Sequence, residues 1–215
     1  MLEPEPSPSR GRGRPPTLDR TAVLDAAWKV VAERGLDRTR YSDVARASGA
    51  PVSTLQNAFG SLEALLNAAI DQAAGRDAEY LDTLPSESEA TALERMERLV
   101  VGSFEEPDAF ESWLVWLELW RAAARDTALA ANLDKAYATW WSTAEEIIRH
   151  GQRSGEFTPD GDPRDLAIAT VAMLDGCACA LLLRAGNPDP AGAGRIAFQT
   201  IARALAAERG VSAHP

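Results

Sequence analysis

The stretch from Tyr41 to Phe59, YSDVARASGAPVSTLQNAF, constrains the rest of the chain most tightly. It reads as two short helices joined by a tight turn. Ser42, Asp43, Val44, Ala45 and Ala47 begin the first, and Ser48-Gly49-Ala50 breaks it. Pro51 is expected to open the second helix, where its missing N–H costs nothing. Val44, Ala45 and Leu55 are expected inside, and Val52, Ser53, Thr54, Gln56 and Asn57 mostly outside. A short second helix with small and amide side chains outward suits a DNA major groove. An ordinary helical hairpin packed on a larger body carries the same pattern.

The flanking segments decide between the two. Asp19 to Arg34 is an amphipathic helix with Val23, Leu24, Ala27, Trp28, Val30 and Val31 on its apolar face, closed by Gly35. Ser61 caps a further helix that turns Leu62, Leu65, Leu66 and Ile70 inward. The matching residues are Ala26-Ala27, Glu33-Arg34-Gly35, Thr39, Asp43-Val44-Ala45, Ser48-Gly49, Thr54-Leu55, Phe59-Gly60-Ser61 and Glu63-Ala64-Leu65-Leu66. In that order and spacing they resemble the helix-turn-helix head of the TetR family of one-component regulators. Several positions depart from the family pattern, among them Asn57 and Ala58, where an aromatic or His is frequent. Gln56 stands where an aromatic is usual, Leu62 where a phosphate-gripping Lys is usual, and Arg40 where Ser or Thr is preferred.

Charge is divided along the chain. Residues 1–60 carry nine Lys/Arg against seven Asp/Glu, and residues 61–215 carry thirteen against twenty-five. A mildly basic head on an acidic body fits a protein that touches DNA with one end. Ahead of the head, Arg10-Gly11-Arg12-Gly13-Arg14-Pro15-Pro16 is an extended cationic strip. It resembles the Arg-Gly-Arg-Pro core that lies in AT-rich minor grooves, and guanidinium groups are drawn to the negative potential there. The bland reading is a solvated basic tail.

Beyond the head the chain reads as helices throughout: 62–84, 88–104, 107–125, 126–152, 163–185 and 189–209, with breaks at Pro85, Gly155 and Pro159. Trp116-Leu117-Glu118-Leu119-Trp120, Arg125-Asp126, Gly155-Glu156-Phe157, Asp162-Pro163 and Leu174-Asp175-Gly176 resemble, more loosely, the ligand-binding part of the BetI-type branch. Trp113, Trp116, Leu117 and Trp120 fall on one helical stripe, and Tyr137, Trp140 and Trp141 lie on the next helix. Such a wall can stack a flat aromatic or apolar ligand or cage a quaternary ammonium through cation–π contacts. An aromatic core explains it equally. Asp175 is either a satisfied buried carboxylate or the anchor for a cationic ligand.

Between Leu166 and Leu183 the only charged residue is Asp175. A mid-helix Asp costs ~2.5–3.5 kcal/mol in a bilayer, which argues against a membrane span. A helix apolar all round needs cover on both sides, so 163–185 and 189–209 are expected to pair with a second copy. Cys177 and Cys179 make no zinc site with only His150 and His214 elsewhere, and read as reduced thiols of a cytoplasmic protein. No nucleophile–His–acid set or phosphate-cradling glycine loop occurs. Glu146 and His150 read as a surface pair.

The expected fold is therefore all-α. Residues 1–18 form a basic arm, 19–60 the helix-turn-helix domain, and 61–209 a ligand-binding and dimerisation domain. Expected DNA contacts are Arg10, Arg12, Arg14, Arg40, Val52, Ser53, Thr54, Gln56 and Asn57. Expected ligand contacts are Trp113, Trp116, Leu117, Trp120, Tyr137, Trp141 and Asp175. No catalytic residue, metal or cofactor is expected. The family resemblance implies a homodimeric repressor, released from a palindromic operator when an aromatic, apolar or cationic small molecule binds among the middle helices. The rival is a dimeric ligand-binding or interaction module that has lost operator recognition, motivated by Gln56 and Leu62.

Overall fold

The computed structural model describes residues 18–186 and 189–206. Among them are nine α-helices: α1 (Arg20–Arg34), α2 (Tyr41–Ser48), α3 (Val52–Phe59), α4 (Leu62–Asp82), α5 (Ala92–Glu105), α6 (Ala109–Ala123), α7 (Thr127–Ser154), α8 (Pro163–Leu182) and α9 (Pro190–Leu205). A single 3-10 turn, Leu36–Arg38, follows α1. No strand forms among the described residues; one isolated bridge pairs Phe157 with Ala206.

Most helix starts follow side-chain capping. Asp19, Ser61, Thr91, Asp126, Asp162 and Asp189 each accept a backbone N–H of the first turn. Several boundaries differ from the expected ones by a few residues, and two of them have clear local reasons. Residues 86–90 turn rather than begin α5, because Glu89 accepts the N–H and the hydroxyl of Ser86. Thr91 and Glu94 then form the reciprocal capping box that starts the helix. Pro51 precedes α3 rather than opening it. Its backbone is extended, and its carbonyl accepts Thr54 N at 2.9 Å and Leu55 N at 3.1 Å.

Two apolar clusters hold the chain together. One joins α1, α2 and α3 through Leu24, Val44, Leu55 and Phe59 to Leu65, Ala69 and Ile70 of α4, Val115 and Leu119 of α6, and Leu133 of α7. The other joins α5, α7, α8 and α9 around Met96, Leu99, Ile147, Ile148, Leu174 and Ile201. Gly151 lets the Phe157 ring lie against α7, since a Cβ there would come 2.1 Å from it. Glu146 pairs with Arg95 of α5 at 3.0 Å rather than with His150, the Arg95 side chain being only 6% exposed.

Along α8 the inward residues are Ala167, Thr170, Val171, Leu174, Ala178 and Leu181. Ile168, Ala169, Ala172, Met173 and Gly176 are exposed, as are Leu183 just beyond the helix and Ile196 of α9. The helix is long and apolar enough to cross a membrane, but it packs against α7 and α9 along its inner side. Its outer side forms an apolar surface that no described residue covers, whereas the outer side of α9 exposes Ile196 among Arg195, Gln199, Thr200 and Arg203.

Candidate functional site

The head presents α3 outward. Ser53, Gln56, Asn57 and Ala58 are exposed, and Val52 and Thr54 are half-buried. Leu55 and Phe59 anchor the helix below, and Arg20 lies over the Phe59 ring at 4.3 Å. Asp43, only 8% exposed, ties α2 in place by pairing with Arg34 at 3.2 Å and Arg46 at 3.5 Å. Arg40 makes no side-chain cap. Asp43 accepts its backbone N–H at 3.2 Å, while its guanidinium donates to the carbonyls of Asp37 and Thr39 at 2.7 and 2.9 Å. Arg10, Arg12 and Arg14 lie outside the described residues.

A partly open cavity of about 190 Å³ lies among the helices of the body and α1 of the head. Its wall takes Trp28 from α1, Ala73, Arg76, Asp77 and Tyr80 from α4, and Ser103 from α5. Glu106 and Asp108 precede α6, which adds Ala109, Ser112, Trp113 and Trp116. Tyr137 and Trp140 come from α7, and Val171, Leu174 and Asp175 from α8. Four acidic side chains thus face one basic one, among six aromatic rings.

Trp113, Trp116, Tyr137 and Asp175 of the expected ligand set share this cavity. Leu117, Trp120 and Trp141 do not line it. Trp120 sits behind the wall and donates its indole N–H to the Tyr137 hydroxyl at 2.8 Å. Tyr137 passes this on, donating to Asp175 Oδ2 at 2.7 Å. Trp141 stacks on Tyr137, the ring centroids 5.3 Å apart, and its cation is the protein's own Arg164, 5.0 Å away. Leu117 is half-buried elsewhere on α6. Sequence reasoning missed the α4 wall. Ala73, Asp77 and Tyr80 stand at i, i+4 and i+7, a single face, and an acid on such a face was the available signal.

Asp77 accepts the Trp140 indole N–H at 3.1 Å. Burial pushes the Asp77 carboxyl from its ordinary 3.8 up to about 6, opposed by the Trp140 bond and the nearby Arg76 charge. Burial does the same to Asp175, up to about 6, opposed by the Tyr137 bond. The Tyr137 hydroxyl is pushed well up by burial and by the neighbouring Asp175 charge. Each carboxyl is held by a neutral donor.

The cavity is joined to the head by polar links. Arg76 pairs with Asp25 of α1, which also accepts Gln72 Nε2 at 2.6 Å. On α6, Glu118 accepts the Leu36 N–H at 3.1 Å, and Arg121 bridges Glu118 at 3.2 Å and Asp37 at 2.8 Å. Gly35 lies beside Glu118 with φ +80°, and a Cβ there would come 3.1 Å from the carboxylate. Helices α4 and α6 therefore each carry cavity residues and grip the head.

The family description "Bacterial regulatory proteins, tetR family" matches residues 23–69. "BetI-type transcriptional repressor, C-terminal" matches residues 92–206. The HTH-type transcriptional repressor ComR of Escherichia coli (strain K12) is 26% identical over 175 residues, covering 77% of this chain and 80% of that protein. The HTH-type transcriptional regulator BetI of Rhizobium meliloti (strain 1021) is 28% identical over 160 residues, covering 73% and 74%. Among solved structures, a transcriptional regulator from Saccharomonospora viridis in complex with choline has a TM-score of 0.76 and 26% identity. It covers 87% of this chain and 97% of that one.

Proposed function

The chain belongs to the TetR family as a DNA-binding transcriptional regulator with a BetI-type C-terminal part, and we propose that a small organic cation in the α4–α8 cavity releases it from its operator. One observation carries the ligand class. The cavity combines aromatic faces with Asp77, Asp175, Glu106 and Asp108, and its one basic side chain, Arg76, is engaged by Asp25. A cation over an aromatic face gains ~0.5–2 kcal/mol, and a partly desolvated carboxylate adds direction and charge selectivity. An anion entering this wall would meet four like charges. The choline bound by the S. viridis regulator is a ligand of the same chemical class.

Each protomer is proposed to set α3 in a major groove, with Ser53, Gln56 and Asn57 towards the bases and Arg40 near the backbone. The exposed apolar face of α8, with Ile196 of α9, supports a two-fold dimer of four helices. Two-fold symmetry requires a roughly palindromic operator with half-sites one helical turn or a multiple apart. A ligand wedged against Trp113, Trp116, Asp77 and Tyr80 shifts α6 and α4. The links at Asp25, Leu36 and Asp37 carry that shift to the heads and favour a spacing that does not fit the operator.

The test pairs two titrations. Tryptophan fluorescence with choline, with its uncharged carbon isostere 3,3-dimethylbutanol and with an aromatic carboxylate reports the ligand class. A mobility shift on DNA from upstream of the protein's own gene, with and without choline, reports release. Preference for the cation and loss of the shifted band are expected. Tighter binding of the neutral or anionic compound would overturn the cation assignment.

A further inference from the structure

Asp77 and Asp175 differ from most shielded carboxylates among the described residues; Glu156 also lacks an arginine, but it accepts Leu93 N and Ser154 Oγ and lies outside the cavity. Asp43 is paired with two arginines, and Glu145, 17% exposed, with Arg149 and Arg164. Glu118, 29% exposed, has Arg121. Asp77 and Asp175 have no cationic side chain within ion-pair distance, only one neutral donor each, Trp140 and Tyr137. An ionised carboxylate can accept about four hydrogen bonds, so each has acceptor capacity left in a partly desolvated wall. Unpaired carboxylates in such a place are costly unless a bound charge compensates them.

The two stand on different helices, α4 and α8, and each is held by its own donor on α7, Trp140 for Asp77 and Tyr137 for Asp175. A single ammonium group placed between them would still leave one negative charge uncompensated. Two carboxylates with indole and phenol rings between them also do not form a metal cage. No group of three or more His, Cys, Asp or Glu among the described residues is arranged to hold a metal ion.

We infer that the effector is an organic dication, a diamine or bis-ammonium compound with one charged end at Asp175, the other at Asp77, and its apolar middle along Trp113, Trp116 and Trp140. This rests on the cation reading above and sharpens it. A monocation leaves one carboxylate uncompensated, whereas a dication of the right length compensates both and contributes its own chain to the aromatic wall. The remaining acids, Glu106 and Asp108, precede α6 in the same wall and bias entry towards positive charge.

The experiment is a fluorescence or calorimetric titration of the whole protein with alkane-α,ω-diamines from ethylenediamine to octane-1,8-diamine. Each is matched by the n-alkylamine and the n-alkanol of the same length. The expected result is an optimum length at which the diamine binds at least tenfold more tightly than its monoamine. Asp77→Asn and Asp175→Asn should each reduce that diamine to monoamine affinity and leave the alkanol unaffected. Equal affinity of mono- and diamines at every length overturns the dication, as does an Asp77→Asn protein that keeps the diamine preference. If an Asn variant fails to fold, the length series on the wild type still decides. Failure of the parent reading looks different, since alkanols would then bind as well as either amine.

Discussion

Replacing Asp175 by Asn should make the ligand-free protein more stable at neutral pH while weakening its hold on cations. Asn keeps the shape, and its carbonyl can still accept the Tyr137 hydroxyl, 2.7 Å from Asp175 Oδ2. Burial raises the Asp175 carboxyl from 3.8 to about 6. Ionising it in the folded protein therefore costs about 3 kcal/mol more than in the unfolded chain, at ~1.4 kcal/mol per tenfold change. Access to water through the cavity lowers the expected gain to ~1–2 kcal/mol. The sign follows from proton binding. Between pH 6 and 4 the folded state holds a proton that the unfolded state has released, so wild-type stability from this group rises as the pH falls. The advantage of Asp175→Asn should be full above pH 6 and vanish near pH 4. Urea unfolding of both proteins at one protomer concentration, over pH 7.5 to 4.5, measures it. A variant less stable than wild type at pH 7.5 would mean that the carboxylate has a favourable cationic partner in the free protein. The unpaired-acid argument would then collapse.

Further outcomes bear on the remaining assignments. Glu118→Ala removes the acceptor of the Leu36 N–H, a bond of ~1 kcal/mol; operator affinity without ligand should change little, while ligand-induced release weakens about fivefold, and unchanged release in a paired binding assay refutes the link. Asn57→Ala should cost ~1–3 kcal/mol on the best operator and relax one base position; equal loss on all sequences would mark a phosphate contact instead. Met173→Asp on the exposed face of α8 should give a folded monomer in sedimentation, whereas Leu174→Asp, one residue away and buried, should unfold the chain; a wild type already monomeric at micromolar concentration removes the dimer. Replacing Arg12 and Arg14 together by Ala should weaken operator binding and lower the salt slope by up to ~2 if both neutralise phosphates; an unchanged slope at AT-flanked sites removes the arm.

Much of the head was legible because its information is local. Ser48-Gly49 and Pro51 punctuate the turn, and Val44, Leu55 and Phe59 can only face inward. The misplacement of Pro51 by one residue is a capping detail, since its carbonyl already accepts the first helical bonds. The body was legible as helices but only partly as a cavity. A helical wheel gives the direction of Trp113 and Trp116, not what lies opposite them. Asp77 and Tyr80 sit on α4 in a stretch where the flanking charges Arg76 and Glu79 mask the single face that Ala73, Asp77 and Tyr80 share. Trp28 sits on α1, where its burial fits head core and cavity wall alike. The wheel of α8 likewise could not separate Val171, Leu174 and Ala178, which face the protein's own core, from Ile168 and Met173, which do not.

The packing also limits how the ligand can act. Leu24, Trp28 and Val31 of α1 share one apolar cluster with Leu65 and Ile70 of α4, Val115 and Leu119 of α6, and Leu133 of α7. Sliding the head over the body would expose these side chains, each worth ~1.5–3 kcal/mol when buried. A single cation contact, at ~0.5–2 kcal/mol, cannot drive that. The head must therefore travel with α4 and α6 as one body, and the ligand's differential contacts need only reorient those helices. The cavity lies on their other side, lined by α4, α6, α7 and α8. In the proposed mechanism, filling it reorients α4 and α6, and the head carried with them, so that a ligand acts on the spacing of the DNA-reading helices without breaking the head's own apolar contacts.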